Sequence, residues 1–319
     1  MATNLSGRHF VSVADFTAEE IRQVVDTALA MKLERYRGAP QRLLEGKTLA
    51  MIFQKPSLRT RVSFESGMTK LGGHAIYLAP SDIALGTRET PEDVAIVLSR
   101  MCDLIMARVF GHDIVEGLAR HATVPVINGL SDREHPCQIL ADLLTILEKK
   151  GGITGLECVY SGDGNNVAHS LMYAAALLGM NLTVVTPPGD EPDAAITQET
   201  QAMAGRSASA IRVTSDLMDA ARGADVLYTD VWASMGQEAE AAERAKRFAP
   251  YQINEKVLAA ADEQAIILHC LPAHYGEEID YATSRTPNSV IFDQAENRMH
   301  AQNALMVSIG LSTPAPRSS

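Results

Sequence analysis

Thr48-Leu49-Ala50-Met51-Ile52-Phe53-Gln54-Lys55-Pro56-Ser57-Leu58-Arg59-Thr60-Arg61 reads as a strand, a three-residue loop and the first turn of a helix, and this junction decides the fold. The helical pattern runs on through Val62 to Leu71. A strand that ends at a helix start leaves backbone N–H groups pointing outward, and those groups with the helix dipole favour an anion. Ser57 suits the N-cap, while Arg59 and Thr60 add a guanidinium fork and a hydroxyl. A small phosphorylated substrate is what such a turn fits; the plainer alternative is a capped surface helix with solvated arginines. Arg59 and Arg61 are two apart and point to different faces. Arg59 is therefore assigned to the phosphate, and Arg61 to structure, paired with Glu65 one turn on.

Outward from this junction, strands and helices alternate along all 319 residues, enough for two domains of ordinary size. Strands are expected near 47–53, 74–79, 104–109 and 124–130, with helices near 17–36, 58–71, 90–101 and 112–122. Thr17-Ala18-Glu19-Glu20 forms a capping box for the first helix. The strands are near-continuous apolar runs, the pattern of a parallel sheet covered on both faces. A strong helix, Pro136 to Lys150, bridges to the second half, where strands are expected near 156–161, 182–187, 210–214, 225–230, 265–269 and 289–292. Its helices are expected near 165–178, 193–204, 215–222, 238–248 and 253–261, followed by a last one at about 294–311. The fold class is α/β: two doubly wound domains with mainly parallel sheets, 1–150 and 151–299, linked by the bridging helix. A C-terminal helix over about 300–319 packs back on the first domain.

Hydrophobic residues make up 46% and charged residues 21% of the chain, with a formal net charge of −11. That balance belongs to a globular protein and argues against a general nucleic-acid or anionic-membrane surface. An anionic substrate must then be held by local arginines. Cys102, Cys137, Cys158 and Cys270 are far apart, with no C-x-x-C pair, so neither a structural zinc nor a disulfide framework is indicated. The start carries no apolar h-region and no run reaches membrane-spanning length, which makes the cytoplasm the expected location.

In doubly wound sheets ligands sit at the carboxyl ends of strands, and the unusual residues of this chain gather there. Arg108 closes Leu104-Ile105-Met106-Ala107. His135-Pro136-Cys137-Gln138 opens the bridging helix, with Pro136 at its first position, so His135 and Gln138 can donate to a carbonyl or an anion. Gly162-Asp163-Gly164-Asn165-Asn166 resembles the start of a dinucleotide fingerprint. Val167 stands at the third glycine, however, and the next strand ends without the ribose acid. A tight turn that brings Asn166 to a ligand is the better reading, and a nicotinamide-dependent oxidoreductase the rival. Asp230-Val231-Trp232-Ala233-Ser234-Met235-Gly236 follows another strand, where Asp230 can face a cationic amine. His269-Cys270-Leu271-Pro272 follows a third; Cys270 is a nucleophile, a positioning thiol or a small buried residue. Arg298 lies in the last helix, where a solvated face is the ordinary expectation.

These residues, in this order, resemble the aspartate/ornithine carbamoyltransferase family over about Phe53 to Met306. Ser57-Leu58-Arg59-Thr60-Arg61 looks like its carbamoyl phosphate motif and His135-Pro136-Cys137-Gln138 like its second element. Asp230-x-x-x-Ser234-Met235-Gly236 and His269-Cys270-Leu271-Pro272 are similar to the ornithine side of the family; aspartate enzymes carry His-Pro-Leu-Pro-Arg at the latter position. The resemblance implies transfer of the carbamoyl group of carbamoyl phosphate to the δ-amine of L-ornithine, giving citrulline, without metal or organic cofactor, as a part of arginine metabolism. A sister activity on putrescine or an acylated ornithine is the alternative. It implies a homotrimer with active sites at subunit boundaries. Carried over by residue, Ser57, Leu58, Arg59, Thr60, Arg108, His135, Gln138, Cys270, Leu271 and Arg298 hold carbamoyl phosphate. Asn166, Asp230, Ser234 and Met235 hold ornithine, and Arg108, His135, Asp230 and Cys270 form the catalytic set. The chain departs from the family pattern at Ser81, too short for a cross-subunit Gln contact, at Tyr275 in place of an Arg, and at Val94 and Ile96 in place of Thr and Arg.

Overall fold

The computed structural model of the protein describes residues 3–233 and 240–311. Ser234 and Met235 lie outside the described residues. The chain divides into two compact units, Met1–Leu144 with Glu296–Ser319, and Thr145–Ala295.

The first unit is built on strands β1 (Thr48–Phe53), β2 (His74–Leu78), β3 (Leu104–Arg108) and β4 (Val126–Leu130). Its helices are α1 (Ala18–Tyr36), α2 (Leu58–Lys70), α3 (Pro80–Ile83), α4 (Pro91–Leu98) and α5 (His112–His121). Every strand pair is parallel, in the order β2-β1-β3-β4. β1, β3 and β4 are buried almost throughout, which is why β1 and β3 read as nearly continuous apolar runs rather than alternating ones. One face packs Ile52, Ile105 and Ala107 against Val94 and Ala95 of α4 and Val115 and Leu118 of α5. Val94 thus belongs to the core, while its neighbour Ile96 is 39% exposed. The capping box at Thr17 is present, with the Thr17 hydroxyl accepting from Glu20 N and the Glu20 carboxylate from Thr17 N.

The second unit carries β5 (Glu157–Ser161), β6 (Asn181–Val185), β7 (Ile211–Thr214), β8 (Val226–Thr229) and β9 (Ile266–His269), all parallel, in the order β7-β6-β5-β8-β9. Its helices are α7 (Asn166–Leu178), α8 (Ala194–Ala204), α9 (Leu217–Ala220), α10 (Ala241–Phe248) and α11 (Glu255–Leu258). α7 is apolar nearly all round because it is buried nearly all round. Two helices contain the points of division: α6 (Pro136–Lys150) passes from the first unit into the second between Leu144 and Thr145, and α12 (Ile291–Gly310) passes back between Ala295 and Glu296. The division therefore falls inside both helices.

The strand expected near 289–292 does not form. Ser289 makes only an isolated bridge to Ile267, and Ile291 already opens α12. A short apolar run such as Val290-Ile291-Phe292 is ambiguous between the two states; here Val290 N bonds Ile267 O and Gln294 N bonds Val290 O, so the helix starts at once.

Candidate active site

In the first unit the chain moves from β1 to β2 on one side and from β3 to β4 on the other. The order reverses between β1 and β3, and a doubly wound sheet opens a crevice at the carboxyl ends of the strands flanking such a reversal. Phe53 and Arg108 are register partners at that edge. The loop after Phe53 leads to Ser57, which is the N-cap of α2: its hydroxyl accepts from Thr60 N at 3.4 Å and meets Thr60 Oγ1 at 3.1 Å. Thr60 Oγ1 is a node. It accepts from Arg108 Nη1 at 3.5 Å and from Arg298 Nη2 at 3.2 Å. Arg298 is 2% exposed, not solvated; its other terminal nitrogen donates to Gln138 Oε1 at 2.7 Å. Gln138 donates in turn to Asp142 Oδ1, one turn along α6, at 2.8 Å. Leu58, at the first position of α2, is 73% exposed. Arg61 pairs with Glu65 at 2.9 Å and lies 3.9 Å from the Tyr77 ring centroid, the structural role expected of it.

His135 stands at the start of α6 with 6% exposure. Burial, then the cations of Arg298, Arg108 and Arg59, hold its pKa well below the usual imidazole value. Of these guanidiniums, Arg108 and Arg298 meet on Thr60 Oγ1. At neutral pH the ring is uncharged and offers one N–H donor and one acceptor. Guanidinium groups and a helix N-terminus are the groups that favour an anion.

The second unit repeats the logic. The chain leaves β5 for β6 and β7 on one side and β8 for β9 on the other, so the reversal lies between β5 and β8, whose ends Ser161 and Thr229 are register partners. The loops beyond them carry Gly162–Asn166 and Asp230. Asp230 is 6% exposed. Its Oδ1 accepts from Cys270 Sγ at 2.8 Å and from Val231 N at 2.8 Å, and its Oδ2 accepts from Asn165 Nδ2 at 3.0 Å. The sequence pointed to Asn166, which is the first residue of α7 and half-buried. Asn165, its neighbour, is the side chain bonded to Asp230, and it also caps α7 by accepting from Val167 N and Ala168 N. That N-cap position was the available signal. Cys270 is half-buried, and Leu271 has φ +58°.

Gly164 is required by a close approach. A Cβ there would lie 2.2 Å from Pro192 N and 2.4 Å from Glu191 C, both backbone atoms. The space a pyrophosphate would use beside the second glycine of a dinucleotide fingerprint is filled by this chain's own loop. Around the same turn, Arg244 of α10 is 4% exposed and joins Asp163 at 2.6 Å, Asp190 at 3.1 Å and Trp232 O at 2.5 Å. Arg247 adds a two-pronged bond to Asp190. Burial pushes the Asp163 carboxyl up to about 6 against the opposing pull of Arg244. This network fixes α10 to the loops after β5, β6 and β8, and nothing in the local sequence announced it.

Comparison with known proteins agrees with this geometry. Residues 8–148 match the family model described as aspartate/ornithine carbamoyltransferase, carbamoyl-P binding domain, and residues 154–309 match its Asp/Orn binding domain. The chain is 56% identical over 306 residues to an ornithine carbamoyltransferase of Thermococcus kodakarensis, covering 96% of this chain and 97% of that one. It is 55% identical to the anabolic ornithine carbamoyltransferase of Pyrococcus furiosus, covering 96% and 97%. The solved structure of an ornithine carbamoyltransferase from Pyrococcus furiosus superposes with a TM-score of 0.94 at 54% identity, over 97% of this chain and 99% of that one. One from Gloeobacter violaceus gives 0.86 at 41%, over 97% and 100%. With both halves matched end to end and a cationic and an acid–thiol strand-end site in the corresponding units, this chain belongs to the aspartate/ornithine carbamoyltransferase family.

Proposed function

We propose that this chain transfers the carbamoyl group of carbamoyl phosphate to the δ-amine of L-ornithine, giving L-citrulline and phosphate. The observation that carries the choice of acceptor is the contact between Asp230 and Cys270, 2.8 Å at the ends of β8 and β9. A carboxylate and a thiol suit an amine, whereas an aspartate side chain would need cations there.

The first unit binds carbamoyl phosphate. Arg59, the α2 N-terminus with Ser57 and the Leu58 N–H, and Arg298 take the phosphate, while Arg108, His135 and Thr60 donate to the carbonyl oxygen and Gln138 holds Arg298 in place. Cys270 and Leu271 add contacts to the carbamoyl end. The second unit binds ornithine through Asn166, Asp230, Ser234 and Met235. The amine must be neutral to attack; with a pKa of about 10.4, neutralising it at pH 7 costs roughly 4–5 kcal/mol. Because the Cys270 thiol donates to Asp230, the carboxylate is the proton acceptor of the pair and the group that orients the amine. The amine lone pair forms the new C–N bond, the carbonyl oxygen takes negative charge, and the C–O bond to phosphate breaks, its electron pair leaving with phosphate. Donors aimed at the developing oxyanion contribute about 3–4 kcal/mol each.

The same reading places the protein in arginine metabolism in the cytoplasm and gives it a homotrimeric working form. Exposed Ile96, Val97 and Met101 supply apolar surface for subunit contact, and among the described residues no helix is long and apolar enough to cross a membrane. The test is product formation with ornithine, putrescine, N-acetylornithine and aspartate in parallel, with the mass of the assembly measured in the same buffer. Citrulline from ornithine alone is expected; a faster rate with any other acceptor would replace this assignment.

A further inference from the structure

Beneath the Cys270 thiol lies a buried pair that the mechanism above does not use. His269, the last residue of β9, and Glu278 both have fully buried side chains, with His269 Nε2 2.9 Å from Glu278 Oε1. On the other side of the ring, Nδ1 accepts from Leu271 N at 2.9 Å. Since an N–H donates to Nδ1, that nitrogen carries the lone pair, and the ring proton sits on Nε2, facing the carboxylate. Glu278 Oε1 is further fixed by His274 N at 2.6 Å, and the His269 backbone N–H by Gln294 Oε1 at 2.8 Å.

The geometry points to His269 and Glu278 as a positioning pair for carbamoyl transfer: they set the direction of the Cys270–Leu271 peptide on the acceptor side of the site. The peptide is trans, so its C=O points opposite to its N–H. With the N–H turned in to the imidazole, the Cys270 carbonyl is turned away from it, and the thiol on the same residue is placed on Asp230. Leu271 must adopt φ +58° to do this. That conformation is unfavourable for a non-glycine residue. A bond from its own N–H to a ring whose tautomer is dictated by a buried acid holds it there. Glu278 Oε2 meets no hydrogen-bond donor among the described residues, although burying an unsatisfied polar group is unfavourable. An apolar pair would fill this space at lower cost, but it could not choose the imidazole tautomer.

The inference rests on the function proposed above, and the test separates the two. His269→Asn keeps an acceptor near the Nδ1 position; His269→Gln keeps a donor near Nε2 but gives Leu271 N–H nothing to bond. The measurements are kcat and both KM values per folded molecule, with the folded fraction taken from circular dichroism, and amide hydrogen exchange at Leu271. We expect His269→Gln to lose about 10²-fold in kcat, the scale of a 1 Å misplacement, with each KM within about 3-fold. His269→Asn should keep kcat within about 10-fold. Leu271 N–H should be protected in the parent and in His269→Asn and should exchange freely in His269→Gln. Equal kcat per folded molecule in all three proteins, equal loss in both variants, or an unprotected Leu271 N–H in the parent would each overturn the assignment. If the parent makes no citrulline, the proposed function falls, and the exchange pattern still decides whether the pair holds the peptide.

Discussion

Arg298→Met separates binding from folding more cleanly than any other change in the cationic site. Arg298 is 2% exposed, and its hydrogen bonds include one of 2.7 Å to Gln138 and one of 3.2 Å to Thr60. Each bond from a charged donor contributes about 1.5–3 kcal/mol. Against this stand the desolvation of a buried guanidinium, several kcal/mol, and the like charges of Arg108 and Arg59 acting on the same neighbourhood. The two sides nearly cancel in the ligand-free protein, and methionine fills much of the vacated volume, so stability should change by no more than about 2 kcal/mol. With carbamoyl phosphate bound the balance differs, because the dianion offsets the repulsion and gains a charge-assisted bond. Losing about 2–3 kcal/mol there raises the carbamoyl phosphate KM roughly 30- to 150-fold. Citrulline formation against carbamoyl phosphate concentration at saturating ornithine reads the second number, and denaturant unfolding without ligand reads the first. A large fall in unfolding free energy with an unchanged KM would show Arg298 to be a structural strut and would refute the argument.

Three further outcomes follow from the geometry. His135 stays neutral in the folded protein well below pH 6.5, whereas in the unfolded chain it protonates near 6.5. Unfolding therefore takes up a proton in that window, and stability is full above pH 6.5 and lost as pH falls. The contribution falls between pH 7.5 and 5.5; since His9, His112 and His300 shift the same way, it is read as the difference between the parent and His135→Gln, and identical pH slopes would contradict it. Gly164→Ala puts a methyl group against the Pro192 backbone and should cost about 1–3 kcal/mol of stability and weaken ornithine use through Asn165; a neutral result in unfolding would mean the loop gives way freely. Cys137 is buried, donates to Asn128 O, and its thiol is pushed up to about 12 by burial, so native protein treated with iodoacetamide should label first at half-buried Cys270. Ornithine should slow that labelling, and fast alkylation of Cys137 would refute the packing described here.

Much of the architecture was legible before any coordinates. β1 and α2, the N-cap at Ser57, the capping box at Thr17, the pairing of Arg61 with Glu65 and the limits of α6 all depend on neighbours within a few residues. Sequence carries such information directly, because caps, apolar runs and one-turn ion pairs are local. The short run at Val290 was misread as strand because nothing local separates the two states over four residues.

Strand order was out of reach for the same reason turned round. Which strands flank the reversals, β1 with β3 and β5 with β8, depends on pairing between segments tens of residues apart. That pairing alone brings Arg108 beside the Ser57 turn and Asp230 beside Gly162. The burial of Arg298 rests on contacts with Thr60, 238 residues away, and with Gln138, 160 away, which no local pattern carries. The bond from Asn165 to Asp230 likewise joins residues 65 apart in the chain. The Glu278 carboxylate behind His269 and the backbone packed on Gly164 left no mark on the chain as a string. Residue types and their local periodicity thus determined what could bind an anion or an amine. Long-range closure of the chain, where loop entropy and packing are settled together, decided which of those groups meet.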